Sequence, residues 1–274
     1  MPRDVDWVTE RLHVGGTTVH CRRSPGEDGV PVVHVHGFAI SGEYLMPTAR
    51  VLARRWVNVV PDLPGYGRSE RRDHVLDIPA LAEALMSVLD ALGIDKAVLL
   101  GNSMGCPVAL EVAHAVPERV HRLVLVSPAG GRQNQPLARA LGQLGRDMFR
   151  ESPRMLPLAF PDYVRFGPIN GLRLFHELTR YPSLERLVHT PVPTLAVLGV
   201  RDPLIPSRDR VREVAGLAAG QLAVAVIEKA AHAVNFSHPA ELAGTVEAWL
   251  DDPRVEGVRL PDGVRLFPAP GRPG

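Results

Sequence analysis

The chain has 274 residues, two cysteines and a formal net charge of +1, and 45% of its residues are hydrophobic. This length is ample for a large buried core, and the balanced charge gives no reason to expect nucleic acid or an anionic membrane as a partner. Two cysteines by themselves exclude a disulfide framework and a structural zinc site. The sequence contains no run of about 18 uncharged apolar residues, so we expect no transmembrane helix.

The amino-terminal segment carries Asp4, Asp6 and Glu10, whereas a signal peptide would be basic and then apolar. We therefore expect a cytoplasmic protein with reduced thiols. A small molecule is the expected partner, no cofactor is predicted, and the sequence leaves a homodimer open.

The first half of the chain alternates short apolar runs with helical patterns, which indicates β–α–β units and a parallel sheet. Runs that are almost wholly apolar predict strands that are covered on both faces. The predicted strands are residues 17–22, 32–35, 57–60, 97–100 and 123–126, and the predicted helices are residues 44–54, 78–92 and 104–115.

The pattern changes over residues 128–193, where prolines interrupt short helical segments such as 137–150 and 171–180 and no strand is evident. The alternation then resumes with predicted strands 194–198 and 222–227 and predicted helices 207–218 and 240–250, and no element is predicted after Asp251. We therefore predict a core of residues 1–127 and 194–274 with a helical cap, 128–193, inserted between two strands. Arginines of this cap would favour acidic substrates if they face the bound molecule.

A G-x-S-x-G pattern, Gly101-Asn102-Ser103-Met104-Gly105, follows one predicted strand and begins the next helix. A nucleophile in a sharp, strained turn leaves no room for side chains two residues to either side, which explains the two glycines. Ser103 Oγ would lie near the positive end of the helix dipole. The pattern predicts Ser103 as a catalytic nucleophile; the alternative is a serine in an ordinary glycine-rich turn.

A serine hydroxyl needs a base, and His232 is the candidate because it follows the predicted strand 222–227 in a loop. His238 begins the last helix and is the weaker choice. Asp202 follows the predicted strand 194–198 and would fix the tautomer of the imidazole, although an aspartate before proline also starts turns.

The segment His36-Gly37-Phe38 follows another predicted strand, and its glycine lets the backbone direct an N–H toward the nucleophile. The amides of Phe38 and Met104 are the predicted oxyanion hole. His34 and His36 share one face of the strand, but no third ligand is apparent, so no metal site is predicted.

With these motifs the chain resembles the α/β-hydrolase superfamily over nearly its full length. The turn at 62–69 and the segment 117–120 add to the resemblance. It implies an α/β-hydrolase fold, with a mostly parallel eight-stranded sheet, helices on both faces and a helical cap. It also implies a catalytic triad of Ser103, His232 and Asp202.

The reaction that we expect is cleavage of small or medium carboxylic esters through an acyl-enzyme, and we assign Asn102, Phe149 and Phe166 to substrate binding. The serine turn and residues 127–131 are also similar to the meta-cleavage-product hydrolases, which cleave a carbon–carbon bond. However, Ala233 stands where those enzymes usually have an aromatic residue, and no single cap arginine matches the one that holds their substrate carboxylate. A ligand-binding protein on a hydrolase fold is the third alternative.

Overall fold

A computed structural model describes residues 6–26, 29–128, 135–218, 222–253 and 259–267. Among these residues, nine strands form one sheet. The strands are β1 (Val8–Val14), β2 (Thr17–Arg23), β3 (Val32–Val35), β4 (Asn58–Pro61), β5 (Ala97–Asn102), β6 (Val120–Val126), β7 (Thr194–Gly199), β8 (Leu222–Ile227) and β9 (Val264–Leu266). Their spatial order is β1-β2-β4-β3-β5-β6-β7-β8-β9.

The five strand pairs between β4 and β8 are parallel, whereas β1, β2 and β9 pair in antiparallel fashion at the two edges. The predicted α/β fold with a mostly parallel sheet is therefore confirmed. The described sheet has nine strands rather than the predicted eight. The sequence predicts neither edge strand, because β9 has only three residues and the residues of β1 are mostly exposed or half-buried.

Helices cover both faces of this sheet, as predicted. In the described parts of the chain they are α1 (Met46–Leu52), α2 (Ile78–Ala91), α3 (Gly105–Ala115), α4 (Leu137–Met148), α5 (Leu156–Phe166), α6 (Pro168–Arg180), α7 (Ser183–His189), α8 (Arg208–Leu217), α9 (Val234–Ser237) and α10 (Pro239–Asp251). Leu99 of β5 is buried with Leu85 of α2 and Leu110 of α3, whereas its neighbour Leu100 is buried with Trp249 of α10. Because adjacent residues face opposite helical layers, both faces of the central strands are buried and mostly apolar.

The chain between β6 and β7 contributes four helices, α4 to α7, and no strand within residues 135–193. We call α4–α7 the insertion helices. The sequence predicts α4 and most of α6 but neither α5, which contains Pro161, nor the short α7. Leu178 of α6 and Leu187 of α7 belong to the buried cluster on one face of the sheet, whereas α4 and α5 expose large apolar residues such as Met148 and Phe160.

A buried carboxylate holds the turn that follows β4. Asp62 Oδ1 accepts a hydrogen bond from the Gly42 amide at 2.8 Å and lies 3.1 Å from Arg22 Nη1. Its Oδ2 accepts from the Arg68 amide at 2.9 Å and lies 3.3 Å from His20 Nδ1. Burial alone would raise the pKa of Asp62, but the contacts with His20 and Arg22 hold that pKa below its usual value.

We expect Asp62→Asn to lower the free energy of unfolding by about 3 kcal/mol at neutral pH, because the buried Arg22 guanidinium loses a charged partner. Urea denaturation measures this loss. Since the pKa of Asp62 is lower in the folded than in the unfolded state, the difference from wild type should shrink only as the pH falls below about 4. Asp90→Asn is the control, because its ion pair with Arg119 is exposed and is worth less than about 1 kcal/mol. Equal losses in the two variants would contradict the expectation.

Candidate active site

The turn between β5 and α3 has the backbone geometry that the glycine pattern predicts. Ser103 has a φ of +53°, in the left-handed region that non-glycine residues rarely adopt. A Cβ on Gly101 would overlap the main chain of Gly105, and a Cβ on Gly105 would overlap the Val35 carbonyl oxygen on β3. The Ser103 amide donates to the Val126 carbonyl at 3.1 Å, which ties the turn to β6. The two glycines therefore allow Ser103 to stand at the carboxyl end of the sheet.

The structure brings His232 and Asp202 into contact at the same edge of the sheet. His232 Nδ1 donates to Asp202 Oδ2 at 2.7 Å, and both side chains are buried. Asp202 Oδ1 accepts a second hydrogen bond from the Leu204 amide at 2.8 Å, so the carboxylate has a fixed orientation. The two residues follow β8 and β7 respectively, and these parallel neighbours carry them to one place.

Ser103 and His232 line one pocket of about 70 Å³. Phe38 and Met104 line it too, together with apolar side chains of the insertion helices. Ligand pockets usually measure roughly 300–1,000 Å³, so this one holds only a few atoms around Ser103.

The two amides predicted to form the oxyanion hole belong to Phe38 and Met104, which line this pocket. Within the described chain, no hydrogen-bond acceptor pairs with the amide of Phe38 or Met104. The preceding amide, of Gly37, donates to Tyr44 Oη at 2.9 Å, and Tyr44 Oη donates to Asn102 Oδ1 at 2.6 Å. Tyr44 thus fixes the loop after β3 against the serine turn. Sequence reasoning missed Tyr44, because a tyrosine in a helical pattern gives no sign of such a contact.

Asn102 also lines the pocket, but its amide bonds to the protein. In addition to the Tyr44 contact, its Nδ2 donates to the carbonyl oxygens of Val126 at 3.1 Å and His232 at 3.2 Å. Both amide protons are thus used to hold the Ser103 turn beside the His232 loop. This geometry gives Asn102 a structural task, whereas the sequence assigned it to substrate binding.

The two phenylalanines assigned to substrate binding lie in different surroundings. Phe149 is 94% exposed and does not line the Ser103 pocket. It follows the last residue of α4, where helical periodicity no longer fixes the direction of a side chain. Phe166 lines a wider apolar groove of about 560 Å³ between α4, α5 and α6. Its ring packs edge-on against Phe38, with centroids 5.8 Å apart. Phe38, Tyr163 and other residues line both the groove and the Ser103 pocket, so the two are adjacent.

Two further acids, which the sequence analysis missed, lie close to His232. Asp147 in α4 is 5% exposed and lines the Ser103 pocket, and Glu151 Oε1 accepts from the Ala233 amide at 2.6 Å. Burial raises the pKa of both carboxyl groups, that of Asp147 to about 7. Helical spacing gave no signal, because Glu151 lies beyond the end of α4 at Met148.

The pKa of His232 reflects these acids. Burial would lower the pKa, but Asp202 raises it by charge and hydrogen bonding, and Asp147 and Glu151 add to the effect, so that it reaches about 9. The imidazole is therefore a stronger base than a free histidine, and it is neutral only at alkaline pH.

The two histidines of β3 and the following loop are structural. His34 Nε2 lies 2.7 Å from Asn58 Oδ1, and His36 accepts the Leu63 amide at Nε2 while its Nδ1 donates to the Gly37 carbonyl. Burial lowers the pKa of both histidines. No group of three metal-ligating side chains occurs in the described residues. None of the helices described here has the length and apolar character that crossing a bilayer requires.

The chain matches the model of a family described as "Alpha/beta hydrolase family" over residues 32–245. A pimeloyl-[acyl-carrier protein] methyl ester esterase of Pectobacterium carotovorum is 29% identical over 83% of this chain and 96% of the relative. A 2-hydroxymuconate semialdehyde hydrolase of Pseudomonas sp. is likewise 29% identical, over 81% of this chain and 87% of the relative.

Other curated relatives are longer than the matched region. An example is the dihydrolipoyllysine-residue acetyltransferase component of the acetoin cleaving system of Pseudomonas putida, 38% identical over 44% of this chain. The chain spans only 33% to 50% of such relatives.

Solved structures support the same fold. A bacterial membrane phospholipase A superimposes with a TM-score of 0.78 at 23% identity, over 90% of this chain and 87% of that one. A thermophilic esterase from Thermogutta terrifontis gives a TM-score of 0.72 at 23% identity, over 90% and 99%. At this identity the likeness establishes the fold alone.

Proposed function

Because the chain belongs to the alpha/beta hydrolase family, we propose that it hydrolyses small or medium carboxylic esters with Ser103 as nucleophile. One observation carries the proposal. Ser103 stands in a strained turn in the same pocket as His232, whose Nδ1 bonds to a buried Asp202 at 2.7 Å. A nucleophile, a base and an acid that orients the base are the parts that acyl transfer needs.

In this mechanism neutral His232 takes the proton of Ser103 Oγ through Nε2 as Oγ bonds to the ester carbonyl carbon. The carbonyl oxygen becomes an anion and accepts hydrogen bonds from the Phe38 and Met104 amides. His232 then gives its proton to the departing alcohol oxygen, which leaves an acyl-Ser103. Water, deprotonated by His232, attacks the acyl carbon and releases the acid, and the proton returns to Ser103. Asp202 stabilises the imidazolium in both halves of the reaction.

The surroundings of Ser103 favour substrates without a carboxylate. Among the described residues that line the Ser103 pocket there is no lysine or arginine, but there is Asp147. Arg150 and Arg165 of the insertion bond instead to the carbonyl oxygens of Arg201 and Ser69. These contacts argue against the expectation that insertion arginines select acidic substrates.

Cleavage of a carbon–carbon bond is the second candidate, because a 2-hydroxymuconate semialdehyde hydrolase matches most of this chain. An anionic dienoate would have to bind beside Asp147 without a described cation in the pocket, which is electrostatically costly. Residues 129–131 of the segment that resembles the meta-cleavage-product hydrolases lie outside the described residues. The ester reaction is therefore the one that we propose.

In this proposal the insertion helices form a cap that supplies the specificity pocket. The Ser103 pocket holds only the reacting group, whereas the adjoining groove of about 560 Å³ is apolar and open to one side. A longer substrate chain would lie in this groove, where each buried methylene contributes about 0.8 kcal/mol.

We expect p-nitrophenyl esters of graded acyl length to be hydrolysed, and Phe166→Ala to move the preferred length toward longer chains. Removing this ring widens the groove next to Phe38. The ratio of kcat/KM for a long and a short ester should rise about three- to tenfold. The control is Phe149→Ala, which should leave the ratio at its wild-type value because that ring is in solvent.

A meta-cleavage dienoate should be assayed beside the esters. If its kcat/KM exceeds that of every ester, the carbon–carbon reaction replaces the ester reaction. If Phe149→Ala and Phe166→Ala change the chain-length profile equally, the groove is not where the acyl chain binds.

The pH dependence follows from the raised pKa of His232. Since the base must be neutral, the rise of kcat/KM with pH should be centred at about 9, whereas an ordinary histidine would give a rise centred near about 6.5. Glu151→Gln should move this rise to lower pH, because it removes one charge that stabilises the imidazolium and keeps an oxygen for the Ala233 amide. A rise centred near pH 6 to 7 in the wild type would contradict this account.

A further inference from the structure

Asp147 is a buried acid for which the proposed mechanism has no task. The side chain lies in the wall of the pocket that Ser103 and His232 share, and it is 5% exposed. Its Oδ1 is buried and accepts no hydrogen bond from any described residue. A buried carboxylate oxygen without a donor is destabilising, so a protein rarely keeps one without a reason.

The groups next to Asp147 already form hydrogen bonds with other acids. Asp202 occupies Nδ1 of His232, and Glu151 holds the Ala233 amide of the same loop. Asp147 interacts with the backbone of His232, but the imidazole itself is oriented by Asp202. Asp147 also lines the pocket in which the substrate must lie.

The charges that face Asp147 come from three elements. They are Glu151 just beyond its own helix, His232 after β8 and Asp202 after β7. Apart from His232, whose positive charge is offset by Asp202, the described lining of the pocket has no cation that would neutralise the carboxyl group. Such surroundings stabilise a hydrogen-bond donor or a positive charge and repel an anion.

We propose that Asp147 binds a hydrogen-bond donor of the substrate, a hydroxyl or an ammonium group, and thereby selects esters that carry one close to the scissile bond. Ser103 and Asp147 line the same small pocket of about 70 Å³, so a donor that reaches Asp147 lies near the group that reacts at Ser103. The apolar remainder of the substrate lies in the groove. This inference rests on the proposed ester hydrolysis at Ser103 and specifies its substrate class.

Two pairs of esters, in which a hydroxyl replaces a methyl group of the same size, test the proposal. Propyl 3-hydroxybutanoate and propyl 3-methylbutanoate place the donor in the acyl part. The esters 2-hydroxyethyl butanoate and propyl butanoate place it in the alcohol part. In one of the pairs, we expect wild-type kcat/KM to be at least about tenfold higher for the hydroxyl ester, since the methyl ester leaves Oδ1 unpaired.

Substitutions of Asp147 should act on this ratio. Asp147→Leu, of similar shape but apolar, should lower the hydroxyl-to-methyl ratio at least about tenfold. Asp147→Asn keeps a hydrogen-bond acceptor, so it should keep most of the hydroxyl-to-methyl ratio. Because it removes the negative charge, it should lose the preference for p-nitrophenyl 3-aminopropanoate over p-nitrophenyl butanoate. Glu177→Gln, at an exposed acid on α6, is the matched control and should leave all ratios at their wild-type values.

Two measurements separate recognition from other roles. Thermal melting and the rate of fluorophosphonate labelling establish that each variant is folded and retains the Ser103 site. If Asp147→Leu shifts the pH profile but changes the hydroxyl-to-methyl ratio less than twofold, Asp147 only tunes His232 and the proposal is wrong. It is also wrong if the wild type prefers the hydroxyl ester in neither pair.

Binding can be measured without turnover. The ligands are amide analogues of the same esters, in which an NH group replaces the alcohol oxygen. In titration calorimetry with Ser103→Ala, we expect the hydroxyl member of the selected pair to bind at least about tenfold more tightly than the methyl member. This preference should disappear in the Ser103→Ala, Asp147→Leu double variant. Retained binding preference without any ester turnover in the wild type would overturn the proposed ester hydrolysis and leave recognition by Asp147 standing. Equal binding of both members would overturn the recognition.

Discussion

Ser103→Ala should lower kcat for a p-nitrophenyl ester by roughly 10³- to 10⁶-fold while the protein remains folded. The hydroxyl is the only part of the proposed machinery that bonds to the substrate carbon. Alanine is smaller than serine, so the substitution causes no steric clash in the turn. Because triad members act as a unit, His232→Ala added to Ser103→Ala should cost little more. Steady-state kinetics on the single and double variants measure both effects.

Cys106 provides the control for the nucleophile. It stands three residues after Ser103, but its buried thiol donates to the carbonyl oxygens of Gly101 and Val126, and burial raises its pKa. A thiol in this state is a poor nucleophile. A fluorophosphonate should therefore label Ser103 and not Cys106, as judged by peptide mapping. An adduct elsewhere, or activity of Ser103→Ala within tenfold of wild type, would exclude the assignment.

The central strands and the positions of Ser103, Asp202 and His232 were predictable because each rests on a strong local pattern. A strand buried on both faces is mostly apolar, and the side chain that follows its carboxyl end lies at the functional edge of an α/β sheet. Gly101 and Gly105 can be read from the sequence alone, since only glycine tolerates the close approach that the turn requires.

The features that the sequence did not predict depend on contacts between distant segments of the chain. Tyr44 and Asn102 are 58 residues apart and meet only after the sheet has formed. Asp147 gains its position from the way α4 packs over the loop of His232, which no periodicity reveals. The exposure of Phe149 was not predictable for a similar reason: in a short helix with both apolar and polar sides, the residue after the last turn has no fixed direction.

The contribution of Asp202 can be isolated by a single-atom change. Asp202 accepts two hydrogen bonds, from the Leu204 amide and from His232 Nδ1. The amide of Asp202→Asn has only one oxygen. If that oxygen keeps the Leu204 amide, an NH₂ group faces Nδ1, and the imidazole must carry its proton on Nε2. The nitrogen that should take the proton of Ser103 is then already protonated.

We therefore expect Asp202→Asn to lower kcat by on the order of 10³- to 10⁴-fold, with little change in thermal stability. Its residual activity should reach its plateau at lower pH than in the wild type, because Asp202 is the main cause that raises the pKa of His232. Asp209→Asn is the matched control: Asp209 is also an acid after β7, but its side chain is exposed and pairs with Arg212. A loss below tenfold in Asp202→Asn would mean that another acid orients His232, and Asp147 and Glu151 are the two described carboxylates close enough to do so.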